Sequence, residues 1–242
     1  MSEHANTPIL SGPALEGLDQ YHSVTDVFHS AVSRFTNKPA FTCMGKTLSF
    51  SDLDRLSAHF AAWLQHETDL VPGYRIAIQL PNVLQFPVAV FGALRAGLVV
   101  VNTNPLYTER EMAHQFKDSN AKAIVILANM ADKLEKVLDK TEIKHVLVTQ
   151  LGDLHDVPKR WLINAVVKHV KKMVPAYSLP SAVGFRDALK KGASLKHTPV
   201  ERNMDDLAAL QYTGGTTGMP KGAQLSHRGL IWGALRVSER YG

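Results

Sequence analysis

The chain has 242 residues, enough for one large domain or two smaller ones. Hydrophobic residues make up 45% and charged residues 20%, which excludes a disordered or fibrous chain and supplies material for a sizeable core. Lys and Arg outnumber Asp and Glu by 27 to 22, an excess that admits anionic partners such as nucleotides or lipid head groups without calling for nucleic acid.

The N-terminal "MSEHANTPILSGPALEG" lacks the basic start and apolar core of a signal peptide, and residues 1–22 read as a tail. Val24, Val27, Phe28, Ala31, Val32 and Phe35 recur at helical spacing, with Ser23 as the N-cap. "AFTCMGKTLSF" predicts two short strands turning near Gly45. It holds the chain's one cysteine, Cys43, which cannot close an internal disulfide; a reducing, cytoplasmic setting follows. Ser51 with Asp54 resembles a capping box, opening a helix whose face carries Leu53, Leu56, Phe60 and Leu64.

Pro72-Gly73 marks a turn before the strand "YRIAIQL". Val83 to Val101 is the one stretch that invites a transmembrane reading. Gln85 and Arg95 charge or polarise it, and Gly92 and Gly97 interrupt it, so it reads as a buried helix, a glycine stop at Gly97 and the strand "LVVVN". Thr108 with Glu111 forms another capping-box signature, for a helix to about Lys117. "KAIVIL" is then a strand, "ADKLEKVLD" a helix and "KHVLVT" a strand. Nearly all-apolar strands alternating with helices predict an α/β fold of parallel βαβ units buried on both faces.

Composition divides the chain into a first α/β subdomain at 23–151, a basic, proline-containing connecting segment at 152–203, and the start of a second subdomain at 204–242. The connecting segment reads as an insertion or bridge rather than more βαβ. Alternation resumes with the buried strand "LAALQYT". "GAQLSH" is a further strand, and Ser226 caps a closing helix through Arg236.

Between these last strands lies "YTGGTTGMPKG", Tyr212 to Gly222. Glycine admits positive φ, which lets successive N–H groups turn inward and form a cationic nest. Thr213, Thr216 and Thr217 add hydroxyl donors, and Lys221 adds a mobile cation suited to a polyphosphate. The loop is a phosphate clamp, and a mobile linker is the weaker reading. It departs from the P-loop, because Pro220 precedes Lys221 and Gly222 follows it, with a strand rather than a helix beyond.

The stretch "LQYTGGTTGMPKGAQLSHR" resembles the AMP-binding signature of the acyl-adenylate-forming enzymes, and "RIAIQLPNVLQFPVAVFGALRAGLVVVNTNPLYTEREM" is similar to an upstream block of the same family. More narrowly, the chain resembles bacterial long-chain fatty acyl-CoA synthetases. The Gly214–Gly215 pair points to that branch; most relatives carry a small hydroxyl residue where Gly214 stands, so one donor is exchanged here for backbone freedom. The resemblance implies the large N-terminal domain of that fold, with the C-terminal domain absent. It also implies ATP-dependent activation of a long-chain fatty acid to acyl-AMP, then to acyl-CoA. ATP, Mg2+ and coenzyme A follow as cofactor or co-substrates, and the full-length enzyme could pair as a homodimer. The residues implied on ATP phosphates are Tyr212, Thr213, Gly214, Gly215, Thr216, Thr217, Gly218, Lys221 and Gly222. Lys221 is the catalytic candidate, and Thr213 would help place magnesium–ATP. In the family this loop lies far from the chain end, so the 242 residues read as an N-terminal part that does not complete adenylation alone. The competing readings are a non-catalytic module of the same fold that binds a lipid surface or protein partner, and another ligase of the superfamily such as a fatty-acyl-AMP ligase.

"VPKRWLINAVVKHVKKMVPAY" spaces Trp161, Leu162, Ala165, Val166, Val170 and Val174 as one helical face, flanked by Lys159, Arg160, Lys168, Lys171 and Lys172. Two readings stay open. Such a helix lies on an anionic bilayer at the inner membrane face, with Lys168, Lys171 and Lys172 on lipid, or it packs its apolar face on the domain. "NTNPLYTERE" could line the substrate side, although Thr108 and Glu111 fit a helix cap better. His227 beside the loop strand is read as structural, and Trp232 as facing the core.

Overall fold

The computed structural model describes residues 20–213 and 220–241, with side chains to Val237. Its elements are α1 (Val24–Phe35), β1 (Pro39–Cys43), β2 (Lys46–Ser49), α2 (Phe50–His66), β3 (Arg75–Gln79), α3 (Gln85–Arg95), β4 (Val99–Asn102), α4 (Glu109–Asp118), β5 (Ala121–Leu127), α5 (Ala131–Glu135), β6 (His145–Thr149), α6 (Lys159–Ala165), β7 (Val183–Gly184), α7 (Phe185–Gly192), β8 (Leu207–Thr213), β9 (Lys221–Ser226) and α8 (His227–Tyr241).

Among the described residues, seven strands form one sheet in the order β7-β6-β5-β3-β4-β8-β9. All neighbours are parallel except β8 and β9. The central strands have apolar side chains on both faces. Ile76, Ala77, Ile78, Ala123, Ile124, Val125 and Ile126 are fully buried, as a parallel sheet covered on both sides requires. This is the α/β architecture expected. Strand β8 is the exception: Ala208, Leu210 and Tyr212 face the core while Gln211 and Thr213 are exposed. It lies one strand from the sheet edge, so a single face is covered and the pattern becomes alternating.

The tempting membrane stretch folds as α3 and β4. Helix α3 ends in a Schellman motif, with Leu98 N–H donating to Ala93 O, Gly97 N–H to Leu94 O, and Gly97 at φ +75°. No helix among the described residues is long and apolar enough to cross a membrane.

Helix α1 carries its expected Ser23 cap, and the Thr108–Glu111 box on α4 is complete in both directions. The box on α2 is displaced from the expected pair. Ser49 Oγ accepts from Asp52 N–H while the Asp52 carboxylate accepts from Ser49 N–H. Ser51 and Asp54 are not the cap because both are committed elsewhere. The Ser51 N–H donates to Thr36 O, and Asp54 receives the buried Arg95 guanidinium at 2.6 Å.

The helix expected over "ADKLEKVLD" is broken into a 3-10 turn at Ala128–Met130, the short α5 and another 3-10 turn at Leu138–Lys140. Buried Ala131 and Leu134 share one face of α5, and Val137 is buried just before the second turn. The segment read as a connector carries more than a bridge. Strand β7 extends the sheet parallel to β6, and α7 packs so closely on α2 that a Cβ on Gly192 would collide with His59 O. Trp232 is half-buried, with the Arg236 guanidinium 5.0 Å from its ring centroid.

Candidate functional site

The carboxyl ends of β3, β4 and β8 open into a cleft of about 610 Å³. Ligands of open parallel sheets bind at this end, where loops leave strands in opposite directions. Its polar floor is cross-linked. Asn102 at the end of β4 donates to Gln211 Oε1 of β8 at 3.0 Å, and Gln79 of β3 donates to Asn104 O at 3.3 Å. Phe86 and Leu106 supply an apolar side, and Leu106 is 84% exposed, which is unusual for a leucine.

Strands β8 and β9 form the two stems of the glycine- and threonine-rich loop. Thr213 stands directly opposite Lys221, and Tyr212 opposite Gly222. Side chains two apart on a strand share a face, so Thr213 lies on the face of Gln211, which lines the cleft, and Lys221 shares it across the ladder. Both side chains are exposed, and among the described residues Lys221 has no carboxylate partner. Gly214, Gly215, Thr216, Thr217 and Gly218 lie outside the described residues.

Tyr212 and Gly222 do something different. The Tyr212 ring is buried, and its hydroxyl donates to Asp118 Oδ2 at 2.6 Å. Burial first, then the Asp118 carboxylate, push the phenol far above its ordinary pKa, so it stays a donor at any physiological pH. A Cβ on Gly222 would meet that ring at 2.9–3.2 Å, so the smallest residue is required here by its neighbour. Helix α4 also reaches the other stem, through a 3.2 Å contact between His114 Nε2 and Pro220 O. His114 and Asp118 are one turn apart on one face of α4, and together they hold both ends of the loop. Gln115 Nε2 donates to Asn102 O at 3.1 Å and ties the same helix to the cleft floor.

Two exposed donors, one hydroxyl and one ammonium, thus head a loop anchored at both stems beside an oxygen- and amide-rich cleft. That combination suits an anion larger than a carboxylate. The model of the AMP-binding enzyme family matches residues 28–241. The chain belongs to that family.

Among individual relatives of this AMP-binding chain, the long-chain-fatty-acid–CoA ligase of Escherichia coli O157:H7 is 49% identical over 224 residues, covering 93% of this chain and 40% of that protein. The ligase of the same description from Bacillus subtilis (strain 168) is 33% identical over 210 residues, covering 86% and 37%. The chain therefore spans about 40% of the length of the curated relatives it matches. In fold, it matches a long-chain-fatty-acid-CoA ligase from Archaeoglobus fulgidus with a TM-score of 0.69 at 22% identity, covering 90% of this chain and 39% of that one. An anthranilate CoA ligase solved with anthranoyl-AMP gives the same TM-score of 0.69 at 16% identity, covering 86% and 35%.

The other expectations divide cleanly. Thr108 and Glu111 cap α4, while Asn104, Leu106 and Tyr107 just before them line the cleft. His227 is buried and structural, its Nδ1 accepting from Val24 N–H at 3.1 Å. Lys168, Lys171 and Lys172 are exposed and lie on the segment after α6, away from the loop stems in the fold's connectivity. The residues that sequence reading missed are His114, Asp118 and Gln211, whereas Asn102 opens the "NTNPLYTERE" stretch read as substrate-side. Only Asp118 left a local trace. An acid in the last turn of a helix opposes the macrodipole, which marks it as held there for another reason.

Proposed function

We propose that this chain supplies the ATP-gripping part of an AMP-forming long-chain fatty acid–CoA ligase. The observation that carries the reading is the Thr213–Lys221 pair, opposed across β8 and β9 at the head of the loop, with Thr213 on the same strand face as Gln211, which lines the cleft. The 49% identity to a long-chain-fatty-acid–CoA ligase supports the substrate class.

In this reading a fatty acid carboxylate oxygen attacks the α-phosphorus of ATP, and pyrophosphate leaves. The thiol of coenzyme A then attacks the acyl carbonyl of the mixed anhydride, and AMP leaves. Negative charge grows on the departing pyrophosphate. Lys221 and the N–H and hydroxyl donors of Thr213, Gly214, Gly215, Thr216, Thr217, Gly218 and Gly222 would meet that charge. Tyr212 contributes by fixing its strand, since its hydroxyl is already engaged by Asp118.

Magnesium fits this set in one way. The described residues hold no group of three or more His, Cys, Asp or Glu side chains arranged for a metal. Thr213 offers a single exposed oxygen, which matches an ion that keeps most of its waters and rides on substrate phosphates. When bound, it would neutralise phosphate charge. The free thiol of Cys43 agrees with a cytoplasmic setting.

The test is ATP–pyrophosphate exchange driven by a long-chain fatty acid, in the protein expressed from its full reading frame. Lys221→Ala should slow exchange about 100-fold, the usual cost of removing one donor to developing charge. Unchanged exchange overturns the reading.

A further inference from the structure

The sequence left open whether the apolar face around Trp161 packs inward. Helix α6 answers this by its anchoring. Ile163 is its buried residue, and Asn164 accepts from Gly152 N–H at 2.8 Å and donates to Asp153 at 3.1 Å. A Cβ on Gly152 would lie within 3.0 Å of Asn164, Arg160 and Ile163, so the contact is tight and α6 has one fixed orientation. That orientation turns Trp161 and Leu162 outward, 63% and 64% exposed. The continuation at Val166–Val170 is a π-helical turn, and beyond it Val170 and Met173 are 71% and 55% exposed.

A second element joins this surface. The β1–β2 hairpin ends in Met44 and Gly45, both at positive φ, with Met44 exposed. Lys159 Nζ donates to Met44 O, and Lys46 pairs with Asp156 at 2.7 Å. The hairpin tip is thereby fixed beside the start of α6, next to exposed Val157. Six large apolar side chains from two separate parts of the chain are thus presented to solvent. Single exposed apolar residues are ordinary, but such a grouping marks a contact surface.

The charge around it is one-sided. From Val157 to Met173 there are five basic residues, Lys159, Arg160, Lys168, Lys171 and Lys172, and no Asp or Glu. Asp156, just before, is already neutralised by Lys46. A protein partner is rarely free of both charges over such an area. An anionic bilayer matches both features at once: apolar tips enter the acyl boundary and lysines stay at the phosphates.

We propose that the Met44 hairpin tip and the 157–173 segment form one docking surface for an anionic phospholipid bilayer. The inference needs neither ATP nor fatty acid, so it stands or falls apart from the ligase reading.

The experiment is binding of the protein from the full reading frame to sonicated vesicles of phosphatidylcholine with about 30% phosphatidylglycerol, against phosphatidylcholine alone. Partitioning should be strong only with the anionic lipid and should weaken with salt. Replacing Lys168, Lys171 and Lys172 by Gln should lower the partition coefficient roughly 100-fold, about fivefold for each lysine. Trp161 emission should shift to the blue on vesicle addition, because its ring leaves water. Trp161→Ser with Leu162→Ser should remove both the shift and the binding. These side chains are solvent-exposed, and unchanged urea unfolding of the variants verifies that the fold persists. Equal binding to both vesicles, or binding that survives either set of substitutions, overturns the proposal. So does finding that the patch instead joins two copies, seen as a dimer in sedimentation velocity that the Ser variants dissociate.

Discussion

The Tyr212 hydroxyl donates to the Asp118 carboxylate across 94 residues of sequence, at 2.6 Å. One bond thereby ties the strand that enters the loop to α4, whose Gln115 also reaches the cleft floor. Tyr212→Phe removes the donor and keeps the ring. A hydrogen bond to a charged group contributes about 1.5–3 kcal/mol. Asp118 can regain water here because it is exposed, so about 1 kcal/mol is expected from urea unfolding. The larger effect should fall on ATP affinity, since the stem loses its anchor while the phosphate donors remain. A variant that loses stability with no change in ATP affinity would show that the bond serves only the fold.

Gly222 should be intolerant of even one methyl group. Its Cβ would press on the Tyr212 ring, which is trapped between the sheet and α4. Gly222→Ala should cost about 1–3 kcal/mol, the range for forced overpacking. Tyr212→Leu in the same chain should recover part of that cost, because the clashing ring atoms are gone. A double-mutant cycle reads the coupling directly. Strict additivity of the two substitutions would exclude the contact as the cause.

The two serines before α2 give a sharp comparison. Ser49→Ala breaks a reciprocal cap and should cost about 1 kcal/mol. Ser51→Ala removes only a side chain that shares a 2.9 Å hydroxyl contact with Ser49, and should stay within about 0.5 kcal/mol. Urea midpoints of the two variants measure this, and the opposite ranking would restore Ser51 as the cap.

These serines also show what the sequence made legible. Long apolar runs such as "KAIVIL" announced the buried parallel strands, and Gly97 announced a helix end, because backbone and burial rules act over a few residues. Ser49–Asp52 and Ser51–Asp54 satisfy the same local rule equally well. The choice between them depends on Arg95, 41 positions away from Asp54, which claims that carboxylate. The loop was readable for the same local reason: its glycines, threonines and lysine are contiguous. Its supports, His114 and Asp118, were not, since only folding brings α4 to Pro220 and Tyr212. The outward face of α6 was undecidable from spacing alone, because helical periodicity identifies a face without saying which side is covered. Gly152 and Asn164 decide it through a contact no periodicity encodes.

Histidines set the acid limit of stability. His227 is buried and neutral. Burial, then Arg202, lowers its pKa, against smaller raising effects of Asp206 and Asp26. His197 is lowered by burial and then by the Arg95 and His29 charges, opposed by its bond to Arg95 O and by Asp54; His29 is lowered by burial and Arg95, opposed by Asp54 and Asp26. All three then bind protons more weakly folded than unfolded. Stability from this source is complete above the ordinary histidine pKa of about 6.5 and is lost as pH falls below it. Carboxylates with lowered pKa, such as Asp52 and Glu111, act in a separate and more acidic range, below about 4.5. Urea midpoints should therefore fall between pH 7 and 5. His227 has the clearest physical cost, because protonating Nδ1 destroys the acceptor that Val24 N–H uses at the start of α1. His227→Gln should flatten the pH dependence by up to about 1.4 kcal/mol per pH unit, the slope of one proton. It should also lower stability at pH 7.5, since the replacement has to rebuild the bond to Val24. A pH profile identical to that of the parent chain would place the titrating group elsewhere.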